Sequence, residues 1–205
     1  LHIAGRHTVM NAPAAAACAV AAGVPLDAIA QGLSGFTPVK GRSRAFSVDH
    51  GERSITVVDD TYNANPDSMR AAIDVLAALP GPHLLVVGDM GEVGDQGPLF
   101  HAEAGTHART RGIELVFALG DQSAHVVDSF GAGGVYHSGI DSLNAAVVAA
   151  LPEVGSVLVK GSRFMKMERV VAAITATQQQ KQASEENTMS ATPGIPAAFA
   201  GAARC

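Results

Sequence analysis

The chain has 205 residues, enough to bury a substantial core in one or two domains. At 47% hydrophobic and 16% charged residues it reads as a globular protein and excludes wholesale disorder. A net charge of −5 and only 4% aromatic residues leave no basic surplus for phosphates and few rings to stack on bases, so nucleic acid is set aside as a partner.

In chain order, Asn11 to Ala22 is almost all alanine with small apolar partners, and Gly23 and Pro25 end it as a helix is ended. Cys18 lies in this run and Cys205 is the last residue. Two such cysteines make neither a disulfide framework nor a metal quartet, and a reducing, cytoplasmic setting fits them. The alanine-rich run resembles a signal segment only superficially, because no basic run precedes it and globular sequence follows at once. No stretch of about 18 uncharged apolar residues occurs, so no membrane span is expected. A second short helix, Leu26 to Leu33, leads to the connector "FTPVKGR", and a domain edge is expected near Pro38 to Arg42.

Beyond the connector, "SRAFSVD" and "SITVVD" predict two strands of a hairpin around "HGER". Met69, Ile73, Leu76 and Leu79 fall on one face of a helix from Pro66 to Leu79, with the proline suited to its first turn. The strand "HLLVVGDM", a helix from Pro98 to Arg111, the strand "LVFALG" and a helix over Ser123 to Phe130 come next. A short strand near Gly134 to His137, a helix from Asp141 to Leu151, the strand "SVLVKGS" and a helix from Met165 to Thr175 complete the pattern. Apolar strands separated by helices predict a doubly wound α/β domain with a mostly parallel sheet covered on both faces. From Gln178 onward the sequence is low in complexity and reads as a solvated, disordered tail.

In such folds ligands sit beyond the carboxyl ends of the strands, where loops and helix N-termini converge. The polar clusters lie there: "DDTYNAN", "GDMGEVGD", "GDQS" and "KGSRFMK" each follow a strand. Asp59 and Asp60 could accept hydroxyl protons from a ribose, and Asn63 and Asn65 can both donate and accept. Against this stands a plainer reading in which Asn65 or Asp67 caps the helix and the rest decorate a turn. Asp89, Glu92 and Asp95 lack the ligand positions of a calcium loop, and a flexible acidic loop is the better reading. Lys160, Ser162, Arg163 and Lys166 suit a carboxylate or phosphate, although "KGS" lacks the upstream glycine of a phosphate-binding loop. The eight histidines contain no HExxH pair and there is no GxSxG elbow, which speaks against a zinc enzyme and a serine hydrolase.

These clusters, in this order, resemble the ATP-dependent Mur ligases of bacterial peptidoglycan synthesis. The resemblance rests on "GRHTVMNAPAAAACAVAAGVPLDAIAQGL", "VKGR", "DDTYNANPDSMRAAIDVLAALP", "VVGDMGEVGD" and "VLVKGSRFMKME", from about Gly5 to Ile174. Within the family, "DDTYNANPDSM" and "KGSR...ME" point to the member that adds D-alanyl-D-alanine. The resemblance implies that ATP phosphorylates the terminal carboxylate of a UDP-N-acetylmuramoyl-tripeptide. The dipeptide amine then displaces phosphate to form the amide.

The family has three domains. Residues 1–41 are expected to be the C-terminal end of the central ATP-binding domain, 42–177 the Mur ligase C-terminal domain and 178–205 the tail. Carried over by motif, His7, Asn11, Arg42, Asp60 and Tyr62 are expected at ATP, and Asn63, Asn65, Ser68, Lys160, Ser162 and Arg163 at D-alanyl-D-alanine. No catalytic residue is assigned, because the phosphate-binding loop, most ligands of the expected Mg2+ and the family's modified lysine are expected upstream of Leu1. The chain is therefore expected to be an inactive piece of a longer cytoplasmic, monomeric ligase. Thr8 stands where the family has asparagine, which puts part of the nucleotide affinity in question. The alternatives are another ligase of the superfamily, such as a folylpolyglutamate synthetase, and a non-catalytic module that binds a nucleotide or a dipeptide.

Overall fold

A computed structural model of the chain describes residues 6–37, 39–51 and 53–176, of which 6–10 as backbone only. Pro38 of the expected domain edge and the tail from Gln178 lie outside the described residues.

Two helices come first, α1 (Arg6–Ala21) and α2 (Leu26–Ser34). Helix α1 starts earlier than the sequence pattern predicts and carries Pro13 inside it, where the ring removes one ladder hydrogen bond. No residue from Asn11 to Ser34 is fully buried, and Val20, Val24 and Leu26 are exposed.

The rest is one six-stranded sheet. In chain order it comprises β1 (Arg44–His50), β2 (Arg53–Asp60), β3 (His83–Gly88), β4 (Leu115–Leu119), β5 (Gly134–His137) and β6 (Ser156–Lys160). Across the sheet the order is β1-β2-β6-β3-β4-β5. Only the β1–β2 hairpin is antiparallel, and the remaining neighbours run parallel. Between the strands lie α3 (Pro66–Ala77), α4 (Gly97–Thr110), α5 (Ala124–Phe130) and α6 (Ile140–Ala150), with α7 over 168–176 after the last strand.

Strand side chains alternate between two cores, as a period of two dictates. Leu84, Val86, Val157 and Val159 face α6 and α7 with Leu143, Val147 and Val170. Leu85, Val87, Leu158 and Val116 face α3, α4 and α5 with Ile73, Leu76, Ala108 and Phe130. Both faces are thus covered, which is why the strands read as near-continuous apolar runs. The expected doubly wound architecture is the one observed.

The boundary of the last helix differs as well. The last helix begins at residue 168, because 163–165 form a single tight turn and Lys166 takes a left-handed φ of +51°. That turn keeps Arg163 at the strand end.

Candidate functional site

The parallel pairing sets Asp60 at the end of β2 opposite Lys160 at the end of β6. Around these two ends opens a cleft of about 520 Å3, within the range of small-molecule sites. Asn11, Arg42, Ser43, Asp60, Tyr62, Asn63, Asn65, Asp67, Ser68 and Lys160 line it. A second recess of about 340 Å3 shares Gly41 and Tyr62 with it and adds Val39, Lys40, Thr61, Arg163 and Glu168. Asn11, Arg42, Asp60, Tyr62, Asn63, Asn65, Ser68, Lys160 and Arg163, of the residues expected at ligands, therefore meet at the carboxyl ends of β2 and β6. The side chain of His7 lies outside the described residues.

The two adjacent carboxylates do different work. Asp59 is 1% exposed; its Oδ2 accepts from the Gly41 amide at 3.1 Å, and its Oδ1 from the Thr61 hydroxyl at 2.6 Å and the Thr61 amide at 3.3 Å. A carboxylate this enclosed holds the connector against the strand end and has no face left for a ribose. Asp60 is partly exposed and also engaged: Oδ1 accepts from the amide and hydroxyl of Ser43 at 2.9 and 3.1 Å, Oδ2 from Lys160 Nζ at 2.5 Å. Lys160 gives a second hydrogen bond to the Asn63 carbonyl at 2.9 Å.

Between the two anchored connector residues, Arg42 stacks its guanidinium 3.9 Å from the centre of the Tyr62 ring. Arg163 lies 5.9 Å from the same ring and 3.6 Å from Glu168. The cleft thus presents an aromatic ring flanked by two permanent cations.

Asn65 and Ser68 pair with each other. Asn65 Oδ1 accepts from the Ser68 amide at 2.8 Å, and Ser68 Oγ accepts from the Asn65 amide at 3.0 Å, a reciprocal cap on α3. The capping reading of Asn65 is the one observed, with both residues still on the cleft wall. Ser162 is buried and faces inward. Its hydroxyl accepts from the Gly91 amide and donates to the Ala64 carbonyl at 3.3 Å, while its amide donates to the Asp89 carbonyl at 2.9 Å. It ties three strand-end loops together and does not line the cleft.

The loop after β3 is fastened rather than open. Asp89 Oδ1 accepts from the amide and hydroxyl of Ser123 at 2.7 and 2.8 Å. The Met90 amide donates to His101 Nε2 at 2.9 Å, so Nδ1 carries the proton and donates to the Gly97 carbonyl at 2.7 Å. Burial pushes the His101 pKa below its ordinary value, against the Gly97 carbonyl and Asp89, which pull it upward. Among the described residues no three His, Cys, Asp or Glu side chains come together as a cluster that could hold a metal ion.

Sequence reasoning missed Ser43, Asp59 as an anchor, and His101. Ser43 carries no signal beyond lying next to "KGR"; Asp59 could have been read as the inward residue of a strand whose neighbour Asp60 points to the cleft. His101 sits in an unremarkable helix and nothing in sequence marks it.

A mostly parallel sheet with a polar cleft beyond its strand ends defines a ligand-binding α/β domain, and the comparisons with known proteins say to which family it belongs. The Mur ligase glutamate ligase domain model matches residues 44–163, and the chain belongs to the Mur ligase family. It is 40% identical over 176 residues to the UDP-N-acetylmuramoyl-tripeptide–D-alanyl-D-alanine ligase of Escherichia coli, covering 85% of this chain and 38% of that protein. A crystal structure of MurF from Acinetobacter baumannii superposes with a TM-score of 0.71 at 33% identity, covering 83% of this chain and 37% of that one. A folylpolyglutamate synthase from Mycobacterium tuberculosis shares the fold at a TM-score of 0.55 and 21% identity, over 86% of this chain and 40% of that one. The chain thus spans well under half the length of these relatives.

Proposed function

We propose that the chain is the C-terminal part of an ATP-dependent ligase that joins D-alanyl-D-alanine to UDP-N-acetylmuramoyl-tripeptide. ATP converts the tripeptide carboxylate to an acyl phosphate, releasing ADP. The dipeptide amine attacks that carbonyl, phosphate leaves, and the amide forms. In this reading residues 1–41 end the ATP-binding domain, residues 42–177 form the C-terminal domain, and the exposed apolar residues of α1 and α2 are covered by the rest of the former. The enzyme works as a cytoplasmic monomer with Mg2+ held elsewhere.

The observation that carries the proposal is the convergence of residues from four separated segments on one cleft. Asn11, Arg42, the Asp60–Ser68 loop and Lys160 meet there. Tyr62 and Arg42 offer a stacked pair suited to a nucleotide, and the polar groups of Asn63 and the cation Arg163 suit a dipeptide with its carboxylate. The relatives with the higher identity carry the dipeptide ligase name, which favours this reading over a folylpolyglutamate synthetase, where only the fold is shared.

The test is a chimera in which this chain replaces the matching segment of the Escherichia coli relative. Formation of the UDP-linked pentapeptide, dependent on ATP and D-alanyl-D-alanine, is expected. A folded chimera that accepts glutamate in place of the dipeptide, or that binds ligands without making product, would sink the proposal in favour of one of the two alternatives.

A further inference from the structure

His101 is 0% exposed on helix α4, so its ring is out of reach of any ligand in the cleft. Its Nε2 accepts from the Met90 amide at 2.9 Å, and Met90 is itself 2% exposed, so that donor would otherwise lie buried and unpaired. The protonated Nδ1 donates to the Gly97 carbonyl, one turn back along α4, at 2.7 Å. The ring thus pins the loop after β3 to a helix.

The next amide of that loop reaches the turn after β6. Gly91 donates to the Ser162 hydroxyl, and the Ser162 amide donates back to the Asp89 carbonyl at 2.9 Å. With the Gly91 amide on its oxygen, the Ser162 hydroxyl turns its own proton to the Ala64 carbonyl at 3.3 Å. A Cβ on residue 91 would meet Ser162 Oγ at 3.1 Å and Phe164 Cε1 at 3.2 Å, so only a glycine lets the two segments approach this closely. Residues beside this tie belong to the cleft. Asn63 and Asn65 flank Ala64 on its wall, and Arg163 follows Ser162 on the wall of the smaller recess.

We infer that His101 is a positioning residue for the dipeptide side of the cleft, acting through Met90, Gly91 and Ser162 on Asn63 and Arg163. This rests on the proposed function, in which Asn63 and Arg163 meet the dipeptide. Only a side chain that presents an acceptor where Nε2 lies can fill the role.

Amide hydrogen exchange on the chain as it stands tests the tie without any substrate. His101→Asn keeps a polar group near the Nδ1 position and cannot reach the Met90 amide, whereas His101→Gln extends an acceptor to the Nε2 position. In His101→Asn the Gly91 and Ser162 amides should exchange about tenfold faster or more, while ladder amides of β3 and β6 such as Val86 and Val159 keep their protection. His101→Leu, which fills the space without an acceptor, is measured beside it and should show the same losses; His101→Gln should restore both amides. Kinetics of the chimera then read the consequence: KM for D-alanyl-D-alanine rises about tenfold in His101→Asn, with KM for ATP within about threefold of the parent, and His101→Gln recovers most of the loss. Ser162→Ala cuts the same path at its far end, so adding it to His101→Asn should raise the dipeptide KM by less than the product of the two single effects.

Loss of protection at Met90 alone, with Gly91 and Ser162 unchanged, would overturn the inference, since the ring would then do no more than satisfy one buried amide. So would equal rises in both KM values, or single effects that multiply in the double variant. An inactive parent chimera would count against the proposed function alone, and the exchange measurement would then decide the inference by itself.

Discussion

At the scale of single residues the structure fixes protonation and conformation in ways that can be measured. His101 accepts a hydrogen bond from the Met90 amide, which only the neutral ring can do, and burial lowers its pKa. His137, at the end of β5, is lowered by burial as well. A base whose folded pKa lies below its unfolded value is disfavoured in its charged form by the native state, so the unfolded chain takes up the extra protons. Its stabilising effect is complete above the ordinary histidine value and is lost as pH falls through that value toward the lower folded one. The urea midpoint should therefore fall between about pH 7.5 and about pH 5, and His101→Asn should flatten that slope; a slope identical in the variant would exclude His101 as its source. Asp89 and His125, the charged and titratable neighbours acting on this ring, work in opposite directions and leave burial dominant. Gly41 gives a second residue-level prediction. At φ +81° a Cβ would meet the Tyr62 amide nitrogen at 3.1 Å and the Thr61 hydroxyl at 3.2 Å. Gly41→Ala should cost about 1–2 kcal/mol from the left-handed backbone alone, read from the same urea curves.

At the scale of elements, helix α3 is started by the Asn65–Ser68 cap and by Pro66 at its first position. Asn65→Ala should cost about 1 kcal/mol of stability, and Asn65→Asp, which keeps the acceptor, should cost much less. Thermal melts of both variants separate a capping role from a purely ligand-binding one, which would leave the two melting points equal to that of the parent. Helices α4 and α5 meet at Gly105, where a Cβ would lie 2.2 Å from the Val126 carbonyl oxygen. Backbone cannot yield as a flexible side chain can, so Gly105→Ala should destabilise by about 1–3 kcal/mol or more.

Elements were the most legible part of the sequence, for a physical reason. Strands buried on both faces must be apolar at every position, and the runs His83–Gly88 and Ser156–Lys160 satisfy this almost without interruption. The lateral order was not legible, because β6 inserts between β2 and β3 through pairings about a hundred residues apart for β2, and local pattern carries no such information. The location of the cleft was legible, since polar residues directly after an apolar strand must stand at its carboxyl end. The direction of each side chain there was not. Asp59 and Asp60 are adjacent, yet one turns to Gly41 and the other to Ser43 and Lys160, and those partners become visible only once the connector folds back onto the strand.

At the scale of the whole molecule, the cleft is a wall more than an enclosure. Its stacked pair, Arg42 on Tyr62, and its polar groups line one side, while the sequence has no GxxxxGK[ST] loop to wrap a triphosphate. Positioning and neutralising a triphosphate depends on such a loop and its metal ion, so under the proposed function most of the binding free energy for ATP comes from outside this chain. Calorimetry on this chain should accordingly find ATP and D-alanyl-D-alanine dissociation constants of about 1 mM or weaker, equivalent to no more than about 4 kcal/mol each. The chimera with the Escherichia coli relative should bind ATP far more tightly, and Arg42→Ala in it should weaken that binding if the guanidinium stacked on Tyr62 is the nucleotide contact proposed above. Micromolar ATP binding by the chain alone would mean that the strand-end cleft is a complete nucleotide site. The domain would then be a binding module in its own right, and the dependence on a phosphate-holding partner would fall.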